Sequence, residues 1–72
     1  MKIMTQDRQH LYDVTGADIY IDSDMEWYHV IMTKGRYKYS LGHYYRLGAA
    51  ERELKEILWH LDRNKTVYEM SC

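Results

Sequence analysis

The chain has 72 residues, of which 46% are hydrophobic and 29% are charged, so we expect one globular domain over residues 1–72 with a small core. The net charge of −1 argues against duplex nucleic acid as a partner, because binding to phosphates normally needs a clear basic excess. The chain holds one cysteine, so it can form no internal disulfide, and neither a secretory signal nor an apolar run of roughly 20 residues is present. We therefore expect an intracellular protein without a membrane partner.

The first third of the chain predicts three short strands. Met1 to Thr5 alternates weakly between apolar and polar residues, and a polar turn then returns the chain through Leu11 and Tyr12. Ala17 to Asp22 alternates more clearly, as a half-buried strand does.

Residues 27–42, WYHVIMTKGRYKYSLG, predict a β-hairpin. If Lys34 and Gly35 form a type I′ turn, Met32 lies opposite Tyr37 and Val30 lies opposite Tyr39. Because side chains alternate along a strand, the hairpin has two faces. The predicted inner face comprises Tyr28, Val30, Met32, Tyr37, Tyr39 and Leu41. The predicted outer face comprises Trp27, His29, Ile31, Arg36, Lys38 and Ser40.

A helix is predicted from Leu47 to Arg63, with Asn64 as a left-handed stop. Its apolar stripe, expected to cover the inner face of the hairpin, comprises Leu47, Ala50, Leu54, Ile57, Leu58 and Leu61. Thr66 to Met70 predicts a closing strand. The fold class expected is α+β: an antiparallel β-sheet of about four to five strands with one helix packed on one face and a short C-terminal strand.

The outer face of the hairpin combines aromatic, titratable and cationic side chains. Trp27 and His29 can stack on or hydrogen-bond to rings, while Arg36 and Lys38 can hold phosphates, so this face suits an anionic, nucleotide-type small molecule. Two alternatives are a solvated sheet face and a dimer contact that includes Ile31. Near the start of the helix, Arg46 stands where a Ser, Thr, Asp or Asn cap is usual, so it and the free N–H groups form a second anion-binding corner, unless water caps them.

Trp59 lies nearly opposite the apolar stripe of the helix, among charged residues. A large exposed aromatic in such surroundings predicts a subunit or partner contact, and we expect a homo-oligomer with Trp59 and Ile31 at its interface. The alternative is a monomer in which the Trp59 ring lies flat against Arg and Lys side chains.

Catalytic and metal signals are weak. The four histidines, His10, His29, His43 and His60, lack metal-ligand spacing, and no P-loop, G-x-S-x-G or dinucleotide motif occurs. We expect no catalytic residues, no metal, no cofactor and no enzymatic activity.

One further pattern covers most of the chain. It comprises the opening IMTQD at residues 3–7 and, in the second half, Leu41, Gly42, Tyr44, Ala50, Leu54, Ile57, Leu61, Tyr68 and Met70. In this pattern the chain resembles a group of short proteins from phages and prophages of Gram-positive bacteria. The resemblance implies a viral protein in the cytoplasm of the bacterial host cell, with an anti-defence role by sequestration of a nucleotide-derived immune signal. Two alternatives stay open: inhibition of a host defence protein such as a CRISPR nuclease, and a structural or regulatory module of the phage.

Overall fold

The computed structural model describes residues 1–72 and shows an α+β fold. Its elements are β1 (Lys2–Met4), β2 (Leu11–Asp13), β3 (Asp18–Ser23), β4 (Tyr28–Lys34), β5 (Tyr37–Tyr44), α1 (Leu47–Asp62) and β6 (Val67–Glu69). The predicted fold class, with one helix packed on strands and a short C-terminal strand, is confirmed.

The strands divide into two three-stranded sheets rather than the single antiparallel sheet expected. Their orders are β2-β1-β6 and β3-β4-β5. β6 runs parallel to β1, whereas the other neighbours are antiparallel. The long crossover through α1 allows this parallel pairing, because parallel neighbours cannot be joined by a tight turn.

The hairpin forms as predicted, but the predicted register is wrong by two residues. Lys34 pairs with Tyr37, so the loop consists of Gly35 and Arg36, and Met32 lies opposite Tyr39. Gly35 has φ +62° and Arg36 does not have positive φ, which matches a type II′ turn with glycine at its first central position. A shift of two residues preserves the alternation, so side chains up to Ser40 keep their predicted directions. Tyr37, predicted on the inner face, is nevertheless 62% exposed at the end of the hairpin.

A β-bulge in β5 then changes the pairing and brings the two sheets together. Leu41 is the extra residue, since Ile31 pairs with Ser40 and Val30 with Gly42. The carbonyl of Leu41 accepts a hydrogen bond from the backbone N–H of Gln6 at 2.9 Å. Gln6, just beyond β1, therefore joins the β1 sheet to the edge of the β5 sheet.

The core lies between α1 and the two sheets. Its most enclosed apolar side chains are Ile3, Val30, Met32, Leu41, Ile57 and Met70. Each such burial stabilises the fold by roughly 1.5–3 kcal/mol relative to exposure. α1 lies against β3, β4 and β5, and Asn64, at φ 54°, adopts the left-handed conformation expected just after the helix. α1 falls short of the length and apolar content that a membrane-spanning helix needs.

Candidate functional site

Trp27 belongs to a cluster of three rings at the end of the β4–β5 hairpin, in which Trp27 is half-buried and His43 and Tyr45 are exposed. Its ring stacks on Tyr45 at a centroid distance of 4.0 Å and an interplanar angle of 23°, and meets the His43 ring edge-on at 4.6 Å. Trp27 precedes β4 and Tyr45 follows β5, so the two continue the cross-strand pairing of Tyr28 with Tyr44. We call Trp27, His43 and Tyr45 the aromatic cluster.

A groove runs from the aromatic cluster to the N-terminal end of α1. Its first part is a cleft of about 480 Å³, and its second part, of about 430 Å³, reaches Arg52 and Glu53. The two parts share the lining residues Tyr44, Arg46, Ala49 and Cys72. We call the two together the α1 groove, and its size and mixed polar and aromatic lining fit a small molecule.

The start of α1 supplies positive potential to the groove. Arg46 is the N-cap residue, in extended conformation, and it makes no side-chain cap hydrogen bond, as predicted. No acidic residue occupies the first turn, and a Cβ at Gly48 would meet nothing within 4 Å. The N–H groups of Ala49 and Ala50 already donate to the Arg46 carbonyl at 3.1 and 3.3 Å, so those of Leu47 and Gly48 are left for a ligand. Arg46 and Arg52 line the same part of the groove, so an anion there would meet two guanidinium groups.

His29 and Lys38 lie on the outer face of the sheet, where each is paired with an aspartate. His29 Nε2 lies 2.8 Å from Asp24 Oδ2, and Lys38 Nζ lies 3.6 Å from Asp22 Oδ2. The hydrogen bond from His29, together with two backbone N–H donors in the turn, lowers the pKa of Asp24 to about 2. These pairs compete with a ligand anion for the His29 ring nitrogen and the Lys38 ammonium group.

Arg36 and Ile31 do not belong to a common recognition surface with Trp27. Arg36 lies in the hairpin turn, and the seven residues of β4 separate it from Trp27 by about 20 Å at roughly 3.3 Å per residue. Ile31 is only 7% exposed although it lies on the outer face, so it offers little surface for the predicted interface contact. β4 is the central strand, and the cross-strand neighbours of Ile31 are Tyr20 on β3 and Ser40 on β5.

Trp59 is 46% exposed on α1, as the helical wheel predicted. The Arg63 guanidinium lies over its ring at 4.1 Å, and the His60 ring meets it at 5.0 Å. This is the geometry expected of a tryptophan covered by its own chain. On another flank of α1, Leu47, Leu58 and Leu61 are exposed although they were predicted to be buried.

The buried carboxylate of Glu53 was not predicted from the sequence. The side chain is 3% exposed, and its Oε1 accepts hydrogen bonds from Tyr68 Oη at 2.8 Å and from the Ser71 backbone N–H at 2.9 Å. Burial and the contact with this carboxylate raise the pKa of the Tyr68 hydroxyl above its usual range. A helical-wheel projection would have indicated that Glu53 faces the core, because it lies three residues after Ala50 and four before Ile57, both of which are fully buried.

Sequence analysis also left His43 and Tyr45 out of the site. The shifted register and the bulge place His43 opposite His29 rather than beyond the end of the predicted hairpin. Both residues adjoin Trp27 only because β5 continues to Tyr44. The two-residue spacing of His43 and Tyr45 along an extended β5 would have placed them on one face.

Comparison of the chain with protein-family models, curated proteins and solved structures gives no significant match. The resemblance to small phage and prophage proteins therefore stays a prediction.

Proposed function

We propose that this protein binds and sequesters a small nucleotide-derived anion in the α1 groove, without catalysis. The role we propose is that of a phage-encoded anti-defence protein, which removes an immune signal in the cytoplasm of the bacterial host. The groove supports the binding part of this proposal, and the resemblance to phage proteins motivates the biological part.

The single observation that carries the proposal is the position of the aromatic cluster beside the uncapped start of α1. A base can stack on the Trp27 and Tyr45 pair, which lies at one end of the groove. Phosphate oxygens can then meet the N–H groups of Leu47 and Gly48 and the Arg46 guanidinium, where the two parts of the groove join. Stacking and charge are both needed, because either alone would accept many unrelated ligands.

This arrangement changes the roles of the predicted site residues. Trp27 and Arg46 keep direct roles in the proposal. His29 and Lys38 do not contact the ligand in this proposal, and each stays paired with its aspartate on the outer face of the sheet. Arg36 has no role, since it lies at the opposite end of the hairpin.

Titration calorimetry with cyclic mononucleotides, cyclic dinucleotides and ADP-ribose tests the proposal. We expect one of these to bind, and Trp27→Ala to weaken it by about 5- to 150-fold, because stacking of one base is worth roughly 1–3 kcal/mol. Arg46→Gln should also weaken binding, and its loss of affinity relative to the wild type should grow as the salt concentration is lowered. The absence of heat with every compound would count against nucleotide binding.

Two matched variants separate a site effect from a general effect. Arg36→Gln removes the same charge as Arg46→Gln at an exposed position far from the groove. Trp59→Ala removes the other tryptophan, which lies seven residues after Arg52 along α1 and does not line the groove. Both should bind nucleotide with the affinity of the wild type, and equal losses in control and site variants would contradict the assignment of the groove.

A second candidate function is inhibition of a host defence protein, and the exposed leucines of α1 favour it. Leu47, Leu58 and Leu61, with the partly buried Leu54, follow helical spacing along one flank, as helices that dock in protein grooves do. The same flank is the surface we propose for a homo-oligomer, since a domain this small gains much from further apolar burial. Light scattering separates self-association from binding to another protein, because it gives the molar mass of the wild type and of Leu58→Glu. A wild-type dimer that dissociates in Leu58→Glu supports self-association through this flank. A monomeric wild type favours another protein as its partner.

A further inference from the structure

Strand pairing brings two histidines together on the outer face of the sheet. His29 on β4 lies directly opposite His43 on β5, and their ring centroids are 6.0 Å apart. Both rings keep contact with solvent, since the His29 side chain is 28% exposed and His43 is exposed. The two residues lie on separate strands, so the spacing of histidines along the sequence did not predict a metal site here.

Each of the two rings has a nitrogen that no other group of the chain occupies. His29 Nε2 lies 2.8 Å from Asp24 Oδ2, so in the neutral ring Nε2 carries the proton and Nδ1 the lone pair. The side-chain-mediated hydrogen bonds at His43 are made by its backbone groups with Gln6, and its ring nitrogens make none. A histidine that binds a metal usually donates its other N–H to a carboxylate, which fixes the tautomer and raises the basicity of the binding nitrogen. His29 already has this carboxylate.

The topology directs the free nitrogen of His29 toward His43. β4 is the central strand, with Asp24 following β3 on one side and His43 lying in β5 on the other. Asp22 is opposite His29, and Asp24 comes two residues later, so all three share the outer face. The two nitrogens of an imidazole point in widely different directions. When Nε2 faces Asp24, Nδ1 therefore faces the β5 side.

The distance between the two rings fits a shared metal ion. With metal–nitrogen bonds of about 2.0–2.1 Å, two imidazoles on one ion have ring centroids roughly 4.5–5 Å apart. A modest rotation of these solvent-accessible side chains covers the difference from 6.0 Å. The chain contains no group of three potential metal-binding side chains, so water fills the remaining coordination positions. Imidazole nitrogen favours zinc, nickel and copper over magnesium and calcium.

We propose that His29 and His43 form a two-histidine site for a divalent transition-metal ion, Zn²⁺, Ni²⁺ or Cu²⁺, with the Asp24 carboxylate orienting the His29 ring. This site goes beyond nucleotide binding and does not depend on it, although His43 also lines the first part of the α1 groove. Two protein ligands leave coordination positions open, so the ion exchanges readily. Of the three ions, Cu²⁺ binds most tightly.

Titration calorimetry with the three metal chlorides tests the proposal at about pH 7.5, where the imidazoles are neutral. The Cys72→Ser background removes the exposed thiol, which would also bind these ions. We expect one ion per chain. His29→Gln and His43→Gln should each weaken binding by about tenfold or more, because a single imidazole remains. Asp24→Asn keeps both ligands and should weaken binding by roughly 10- to 100-fold.

His10→Gln and His60→Gln are matched controls, because each removes one imidazole from another part of the chain. Both should bind the ions with the affinity of the parent chain. Equal losses in control and site variants would overturn the proposal, as would unchanged affinity in both His29→Gln and His43→Gln. Binding of none of the three ions would also overturn it and would leave nucleotide binding intact.

Tryptophan fluorescence locates the bound ion independently of affinity. In Trp59→Phe the remaining tryptophan is Trp27, whose ring meets the His43 ring at 4.6 Å. Bound Cu²⁺ is paramagnetic, so it should quench most of the Trp27 emission in Trp59→Phe, and His29→Gln should need about tenfold more Cu²⁺ for the same quenching. Emission that stays unchanged at saturating Cu²⁺ would place the ion elsewhere and overturn the proposal.

Discussion

The side-chain amide of Gln6 hydrogen-bonds to both backbone groups of His43 and so links the two sheets, and its removal gives the sharpest test of the fold. Its Oε1 accepts the His43 N–H at 2.9 Å, and its Nε2 donates to the His43 carbonyl at 3.1 Å. Gln6→Ala removes both hydrogen bonds and keeps the backbone bond to Leu41. At roughly 0.5–1.5 kcal/mol for each neutral hydrogen bond, the free energy of unfolding should fall by about 1–3 kcal/mol.

Because both side-chain hydrogen bonds are exposed to solvent, we expect the lower half of that range, about 1–2 kcal/mol. For a domain of this size, this corresponds to a fall in Tm of roughly 4–16 °C. Urea unfolding followed by tryptophan fluorescence gives the free energy, and circular dichroism gives Tm. Since Gln6 also lines the α1 groove, the nucleotide affinity should fall as well.

Gln9→Ala is the matched control, because Gln9 is exposed in the same turn region and its side chain makes no hydrogen bond. We expect its unfolding free energy to stay within about 0.5 kcal/mol of the wild type. If Gln6→Ala loses no more than this control, the side chain does not join the sheets and the reasoning fails.

Three further predictions follow from individual contacts. Gly42→Ala would place a Cβ 3.1 Å from Gln6 Cβ, so it should lose about 1–3 kcal/mol of unfolding free energy. The loss should be smaller in a Gln6→Gly background, which removes the Gln6 Cβ, as measured by a double-mutant cycle. Asp24→Asn should lower Tm by a constant amount above about pH 5. The pKa of Asp24 is about 2 in the folded state against an ordinary 3.8, so the difference in Tm from the wild type should narrow as the pH falls from 3.8 to 2. A difference in Tm that persists at pH 2 would contradict the ion pair. Tyr68→Phe should lose roughly 1–3 kcal/mol at neutral pH; because the pKa of Tyr68 is raised above 10.0, the wild type itself loses stability above pH 10, so the deficit should shrink there.

The elements of this fold follow from short-range patterns in the sequence. Alternation in Ala17 to Asp22 predicted β3, helical spacing from Leu47 predicted α1, and Asn64 marked its end. These signals are local, since each depends on neighbours within a few residues and on one buried face. The outward direction of Trp27 and His29 came from the same alternation and survived a register error of two residues.

The candidate site depends on contacts between distant parts of the chain, and here the prediction was partial. Trp27 and Arg46 were singled out from their own surroundings, and both line the α1 groove. Glu53 was missed because an acidic residue in an apolar stripe reads as a surface residue until Tyr68 and Ser71 are placed beside it. Arg36 was included because the turn was placed one residue too early.

The sequence by itself determined the kinds and order of the elements and the direction of the side chains along each strand, because periodicity and turn residues act over a few positions. The tertiary structure alone decided the division into two sheets, the bulge at Leu41 and the convergence of Trp27, Arg46 and Glu53 on one groove. Those features arise from pairings between residues tens of positions apart, such as Gln6 with His43, and local patterns carry no record of which distant partner a strand or side chain finds.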